Sequence, residues 1–311
     1  MQLFTVREVD KVVALTSPPL VSALAALFAR LSGAQFLYWV MDLNPDEAVA
    51  AGWLKPNSLP ARLLDTVSRF SLRTADQVVA LDRFMEGRLL AKGVASEKLL
   101  VIPPWPQDDV VELDLEGARA FRRQHDMDGK FVVMYSGNHS PCHPLDSLME
   151  AALAVRQTAS VQFCFIGGGS EFVRVQQFAA QHDLKNVLCL GYQPLDRLSA
   201  SLSAADLHVV VMGDPFVGIV HPCKVYNIKR VGVPFVCIGP ELNPIAELGP
   251  VATFRHGQVD ALADLIRSAA MHGVPASRRT LAAEATREVL LDQLVTVIGG
   301  QSRMRLEPIR G

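Results

Sequence analysis

Short apolar runs alternate with longer segments of helical period along nearly the whole chain, and this alternation limits the fold more than any other feature. "KVVAL" (11–15) reads as a strand and 18–31 as a helix. "AQFLYWV" (34–40) reads as a second strand, followed by helical stretches at 45–53 and 59–74. Strand "QVVAL" (77–81), helix 82–92 and strand "LLVIPP" (99–104) complete the first series. A second series begins with strand 130–136 and helix 144–157, then strand 161–167 and helix 170–182. Strand 186–191, helix 194–204, strand 207–212, helix 223–231 and strand 234–239 follow, with final helices at 257–272 and 276–298. Repeated strand–helix–strand order predicts an α/β protein with parallel sheets covered by helices on both faces.

The proline- and acid-rich stretch "PWPQDDVVELDLEG" (104–117) breaks the rhythm and reads as a linker. With 311 residues, each half is long enough for its own core. The expected division is an N-terminal Rossmann-like domain over 1–108 and a C-terminal one over 109–275. A helix and tail over 276–311 are expected to cross back to the first domain.

Net charge is −2 with no long basic run, which argues against a bulk electrostatic grip on nucleic acid. The five cysteines are scattered without a CxxC pair, so neither a disulfide framework nor a zinc cluster is expected. Cys164, Cys189 and Cys237 lie in apolar runs and read as small buried hydrophobes. The N-terminus has no signal-peptide layout, and "PPLVSALAALFARL" is too short to cross a bilayer. A cytoplasmic protein follows.

Open parallel sheets hold ligands beyond the carboxyl ends of their strands, where strand order reverses. Five loops of the second series follow strands in this way. In "VHPCKVYN" (220–227), Pro222 suits a helix start, while Lys224 in the first turn has the wrong sign for the helix dipole. That mismatch points to a bound anion, although a snorkelling surface lysine explains it too. His221 reads either as a buried hydrogen-bonded imidazole or as a phosphate or sugar contact. "FIGGGSE" (165–171) carries Gly168 and Gly169 between strand and helix; it is either a phosphate cradle or a tight turn. "SGNHSPCHPLD" (136–146) brings Asn138, His139 and His143 into one loop and reads as polar ligand contact or as a plain loop, rather than as a metal centre. Asp42 ends a strand and is the functional candidate in its segment; helix capping accounts for Asp46 and Glu47. In 59–76, Leu59, Leu63, Val67 and Phe70 share one helical stripe, and Arg62, Arg69 and Arg73 share another. The pattern suits a helix packed on its own sheet with a solvated arginine face. It also suits a basic amphipathic helix on an anionic bilayer, and a membrane-associated acceptor is predicted from it.

Taken in order, "VVALTSPPLVSALAALFARLSGAQFLYWVMDLNPDEAVAAGWL", "ADQVVALDRFMEGRLLAKGVASEKLLVIPPW", "FVVMYSGNHSPCHPLDSLMEAA", "FIGGGSE", "NVLCLGYQPLDRLSASLSAADLHVVV" and "GIVHPCKVYNIKRVGVPFV" resemble bacterial family 4 glycosyltransferases. The likeness is greatest to the envelope and exopolysaccharide branch. It implies the GT-B fold and metal-independent transfer of a sugar, with retention, from a nucleotide-diphosphate sugar to a polysaccharide or lipid-linked acceptor. No cofactor is implied. Carried over by position, Gly137, Asn138 and His143 lie toward the diphosphate, and Tyr192 and Gln193 toward the base. Gly218, Ile219, Val220 and Lys224 lie at the diphosphate and sugar. Asn227 takes the ribose position, and Asp42 and His221 stand at the reaction centre.

The family's paired glutamates are absent, with Asn227 in place of the second and Ile219 near the first. "HPCK" stands where the envelope branch has a "PSK"-like motif. The family also carries further strands and a glycine-rich acceptor loop before the "VVALTSPP" strand, so the N-terminal domain is expected to be short by several strands. A non-catalytic sugar-nucleotide-binding subunit and a nucleotide-sugar 2-epimerase are the alternative readings. Peripheral association with the inner face of the membrane is expected.

Overall fold

Each strand is a short β-branched or aromatic run, and most helices carry one apolar face. The computed structural model describes residues 8–105, 111–275 and 287–299. The chain divides into two units. Residues 8–105, 215–221 and 287–299 form the first, and 111–214 and 222–275 form the second. The loop 215–221 therefore counts with the first unit, although its neighbours in sequence belong to the second.

The first unit contains β1 (Lys11–Ala14), α1 (Val21–Ser32), β2 (Gln35–Trp39), α2 (Asp46–Ala50) and α3 (Leu59–Thr74). It continues with β3 (Gln77–Ala80), α4 (Arg83–Ala91) and β4 (Leu99–Val101). Its four strands are parallel in the order β1-β2-β3-β4. Ser58 caps α3 by accepting from the Ala61 amide, and Gly33 closes α1 in a left-handed turn. Helix α1 starts at Val21 rather than at 18 because Leu20 is left-handed, φ +69°. Val13, Leu15, Leu20, Leu24, Leu27 and Leu31 are all exposed. On α1, Leu24, Leu27 and Leu31 recur at spacings of three and four, the period of one helix face.

The second unit opens with α5 (Leu115–Gln124), which lies partly inside the expected linker. Asp114 caps α5 through the Gly117 amide, and Ala118 and Phe121 bury its inner face. Residues 106–110 of that linker and 276–286 of the expected last helix lie outside the described residues. Next come β5 (Phe131–Asn138), α6 (Asp146–Ala154), β6 (Val161–Gly168), α7 (Ser170–Gln181) and β7 (Val187–Leu190). Then follow α8 (Leu198–Ser203), β8 (Leu207–Val211), α9 (Lys224–Val231), β9 (Phe235–Ile238), β10 (Thr253–Phe254) and α10 (Val259–His272). The two-residue β10 was not anticipated. The parallel order is β10-β9-β8-β5-β6-β7. From β5 the chain builds outward to β7, then returns to the other side of β5 with β8. The switch point of this doubly wound sheet therefore lies between β5 and β8. Helix α11 (Arg287–Gly299) buries Leu290 and Leu294 in the first unit's core with Leu37, Val79 and Ile102.

Among the described residues no disulfide forms, and burial pushes the Cys164 and Cys237 thiols up to about 12. No described helix is long and apolar enough to cross a membrane. The α3 stripe is buried unevenly: Val67 and Phe70 are half-buried, whereas Leu59 is 81% and Leu63 64% exposed.

Candidate functional site

The switch point is where the loops after β5 and β8 diverge, and the second unit's polar residues gather there. Lys224, the first residue of α9, donates from Nζ to the Tyr135 hydroxyl at 2.7 Å, and its ammonium lies 3.9 Å from the centre of that ring. The Tyr135 hydroxyl in turn donates to the Asn138 carbonyl at 2.9 Å. Among the described residues no carboxylate pairs with Lys224, and burial alone lowers its pKa to about 7. Gly137 makes the room: φ is +122°, and a Cβ there would stand 3.2 Å from the lysine Nζ. No side chain caps the α9 N-terminus, so the dipole at that end also favours an anion.

Two histidines flank the lysine. His143 Nδ1 lies 2.7 Å from the Val211 carbonyl, and His139 Nδ1 lies 2.8 Å from the Gly137 carbonyl. A carbonyl only accepts, so both Nδ1 atoms carry the proton. Burial, with the Lys224 charge nearby, lowers His139 to about 4 and His143 to about 3. Both rings are therefore neutral at pH 7, which leaves Lys224 as the group of the cluster that can carry positive charge. His139 Nε2 is buried without a partner among the described residues.

The glycines at the end of β6 and the start of α7 serve close packing. Cβ atoms at Gly167 and Gly169 would fall 2.0 Å and 2.3 Å from the carbonyls of Gly137 and His139. Gly168 faces the Tyr192 ring, whose hydroxyl bonds the Gly168 carbonyl at 3.2 Å and Asn138 Oδ1 at 3.5 Å. Tyr192 is 64% exposed. Gln193 turns back onto the Gly191 carbonyl at 3.0 Å. Asn227, one turn after Lys224, has Oδ1 buried without a partner among the described residues. Among the described residues no three of His, Cys, Asp or Glu gather closely enough to hold a metal ion.

Gly218, Ile219, Val220 and His221 are held in the first unit, apart in the division from Lys224 and Asn227. The Ile219 carbonyl accepts from the Leu43 amide at 2.9 Å, and the side chains of Ile219 and Val220 are buried. Gly218, at φ +72°, would place a Cβ 2.5 Å from the Phe84 carbonyl. Arg88 fastens the same loop through the carbonyls of Val217 (2.6 Å) and Pro215 (3.2 Å). His221 Nδ1 lies 2.7 Å from Asp82 Oδ2, and Asp82 Oδ1 accepts the amides of Phe84 and Met85 at the start of α4. Asp42 follows β2, half-buried. Burial, then Glu47, raises its carboxyl to about 6.

Asp82 and Tyr135 were not singled out in the sequence. Asp82 carried one legible signal, an acid directly between a strand and a helix. Tyr135 carried none, since an aromatic inside a strand reads as core.

The fold and this switch-point cluster define a doubly wound α/β protein of the GT-B kind. Residues 3–105 match the model of the family described as the glycosyl transferase 4-like domain. The putative colanic acid biosynthesis glycosyl transferase WcaI of Escherichia coli is 30% identical over 213 residues, 66% of this chain and 51% of that protein. The probable glycosyltransferase WbjE of Pseudomonas aeruginosa is 27% identical over 245 residues, 78% of this chain and 61% of that protein. The chain thus spans about half to three-fifths of the length of these relatives. Anabaena HepE, solved with UDP-glucose, superposes with a TM-score of 0.68 at 18% identity, covering 86% of this chain and 71% of that one. WaaG, a glycosyltransferase involved in lipopolysaccharide biosynthesis, superposes with a TM-score of 0.59 at 15% identity, covering 76% and 65%. The chain resembles the family 4 bacterial glycosyltransferases, in their exopolysaccharide and lipopolysaccharide branch.

Proposed function

We propose that the chain is a retaining glycosyltransferase that moves a sugar from a nucleotide-diphosphate sugar to a polysaccharide or lipid-linked acceptor. One observation carries this reading: Lys224 is a buried amine with no carboxylate partner among the described residues, at a helix start on the switch point of a doubly wound sheet. A diphosphate is the natural counter-ion there, and binding it restores the charge that burial suppresses. The solved structures of HepE with UDP and with UDP-glucose support the same ligand class.

As the glycosidic bond of the donor breaks, negative charge grows on the leaving diphosphate. Lys224 and the α9 N-terminus would stabilise it without a resident metal. Tyr192 and Gln193 stand on the exposed rim suited to a base, and Asn227 presents an unsatisfied carbonyl oxygen suited to a hydroxyl. In the first unit, Asp42 is the group suited to accept or orient the acceptor hydroxyl. The hydrogen bond to Asp82 fixes the orientation of the His221 ring in the first unit. The protein would work in the cytoplasm, at the inner face of the membrane.

Calorimetry with UDP tests the donor site. Lys224→Ala is expected to weaken binding by about 1.5–3 kcal/mol, the range for hydrogen bonds to charged groups. Unchanged affinity would remove the lysine from the site. Turnover of a UDP-sugar that persists in EDTA tests the metal-free reading.

A further inference from the structure

Tyr135 stands on β5 two residues before Gly137, so the two positions share one face of the strand. Lys224 uses both. The missing side chain of Gly137 leaves room for its Nζ, and the Tyr135 hydroxyl receives it at 2.7 Å. The Tyr135 ring is 1% exposed, with His139 edge-on at 4.7 Å and Phe165 at 6.5 Å between ring centres. Close packing thus fixes where the hydroxyl lies. Its polarity is fixed as well. The Asn138 carbonyl only accepts, so the one hydroxyl proton points at it, and the oxygen's lone pairs are left for Lys224. Burial first, then the charges of Cys142, Tyr192 and Glu171, hold the phenol well above its ordinary pKa. The hydroxyl therefore keeps its proton where Lys224, near 7, titrates.

A tyrosine buried for packing needs one partner for its hydroxyl, and the Asn138 carbonyl already supplies it. The contact with Lys224 goes beyond what burial requires. A lysine amine ends a flexible four-carbon stem, and ordering that stem costs entropy. Holding the amine on a rigid hydroxyl before a ligand arrives removes that cost from binding. Of the three N–H donors of the ammonium, the hydroxyl takes one, and two remain for phosphate oxygens.

We propose that Tyr135 is a positioning residue of the donor site, whose hydroxyl, oriented by the Asn138 carbonyl, holds the Lys224 amine in place for the diphosphate. Its bearing on the nucleotide rests on the transferase reading above; its grip on the amine does not. NMR of the full chain carrying ¹³C-labelled lysine follows the Lys224 amine through its Cε shift, assigned by its loss in Lys224→Met. Around that amine stand Tyr135, His139, His143 and Cys142, with Cys223 directly before it and Glu171, paired with Arg174, beyond the ring. Tyr135→Phe leaves all of these neighbours in place, keeps the ring and removes only the hydroxyl. It is expected to lower the Lys224 midpoint by about one pH unit, because an acceptor oxygen favours the charged amine. Calorimetry at pH 7 is expected to show UDP binding about tenfold weaker. In the Lys224→Met background the same change is expected to leave UDP affinity within about twofold, as for a residue that acts through the lysine. 3-Fluorotyrosine at 135 keeps the hydroxyl but weakens it as an acceptor. It is expected to lower the midpoint too, and it serves if the phenylalanine variant folds poorly. An unmoved midpoint, or an equal loss of UDP affinity with and without the lysine, would overturn the proposal, since Tyr135 would then act by packing alone. If the parent binds no UDP, the transferase reading fails and the midpoint alone decides this one.

Discussion

The imidazole of His221 donates a hydrogen bond from Nδ1 to Asp82 Oδ2 across 2.7 Å, while the other oxygen of Asp82 caps α4. One carboxylate thus serves a helix start and a buried ring in the same unit. Asp82→Ala removes both. A lost cap costs about 0.5–2 kcal/mol, and a stranded buried donor about 1–3 kcal/mol. Chemical denaturation is expected to show a loss of about 2–4 kcal/mol, and a smaller loss for Asp82→Asn, whose side-chain oxygen still caps. A loss below about 0.5 kcal/mol in Asp82→Ala would show that neither contact stabilises the fold.

Lys224 couples stability to pH with a definite sign. Its pKa falls from 10.5 unfolded to about 7 folded. Between these values the unfolded chain holds a proton that the folded one lacks, so the lysine's contribution to stability rises with pH across that window. Below pH 7 the buried charge costs its full penalty. Lys224→Met is therefore expected to melt higher than the parent at pH 6, by a margin that shrinks toward pH 10. Nucleotide binding at pH 8 should take up a proton, which calorimetry in buffers of different ionisation enthalpy reads directly.

Asp42 has the opposite linkage. Its carboxyl rises from 3.8 to about 6 on folding, so stability is lost as pH rises through that window. Above pH 6 the ionised, half-buried group costs up to about 3 kcal/mol. Asp42→Asn is expected to stabilise the protein at pH 7 and to match the parent near pH 4. Its transfer activity is expected to fall at least about 10²-fold, the lower range for one positioned acid–base group. Destabilisation at pH 7 would mark the carboxylate as structural.

Gly137 and Gly167 separate packing from binding. A methyl at Gly167 meets a carbonyl oxygen at 2.0 Å, whereas one at Gly137 meets the movable end of Lys224 at 3.2 Å. Both glycines have positive φ, a strain of about 1–3 kcal/mol for alanine. Gly167→Ala is expected to lower the melting temperature well beyond Gly137→Ala. Gly137→Ala should weaken UDP binding by displacing the lysine.

The exposed leucines of α1 make a fifth case. Large contiguous apolar patches drive association. Leu24→Glu/Leu31→Glu is expected to leave stability within about 0.5 kcal/mol, as surface changes do. Light scattering at high protein concentration should show a lower apparent mass for this variant than for the parent.

Much of the fold was legible because strands and helices here differ in period, and each parallel strand must be followed by a covering helix. Helix α5 was hidden because its acids and preceding prolines read as a linker, although Asp114 is a conventional cap. The two residues of β10 carry no periodicity at all. At the site, Lys224 stood out because its sign opposes the helix dipole. Tyr135, its hydrogen-bond partner, looked like any core aromatic until strand order brought β5 beside β8. Likewise, nothing in sequence spacing links Asp82 to His221 or sets loop 215–221 in the first unit. Those relations arise from packing.

The ladder between β5 and β6 does not stop where the apolar residues end. It continues through Gly137 opposite Gly167 and Asn138 opposite Gly168. The wall beside Lys224 is thus sheet rather than loop, and its amides should exchange hydrogen only when the sheet itself opens. Variation among related enzymes has little freedom in such a wall. Changes of nucleotide preference should instead accumulate at Tyr192 and Gln193, where a side chain can be replaced without disturbing a ladder.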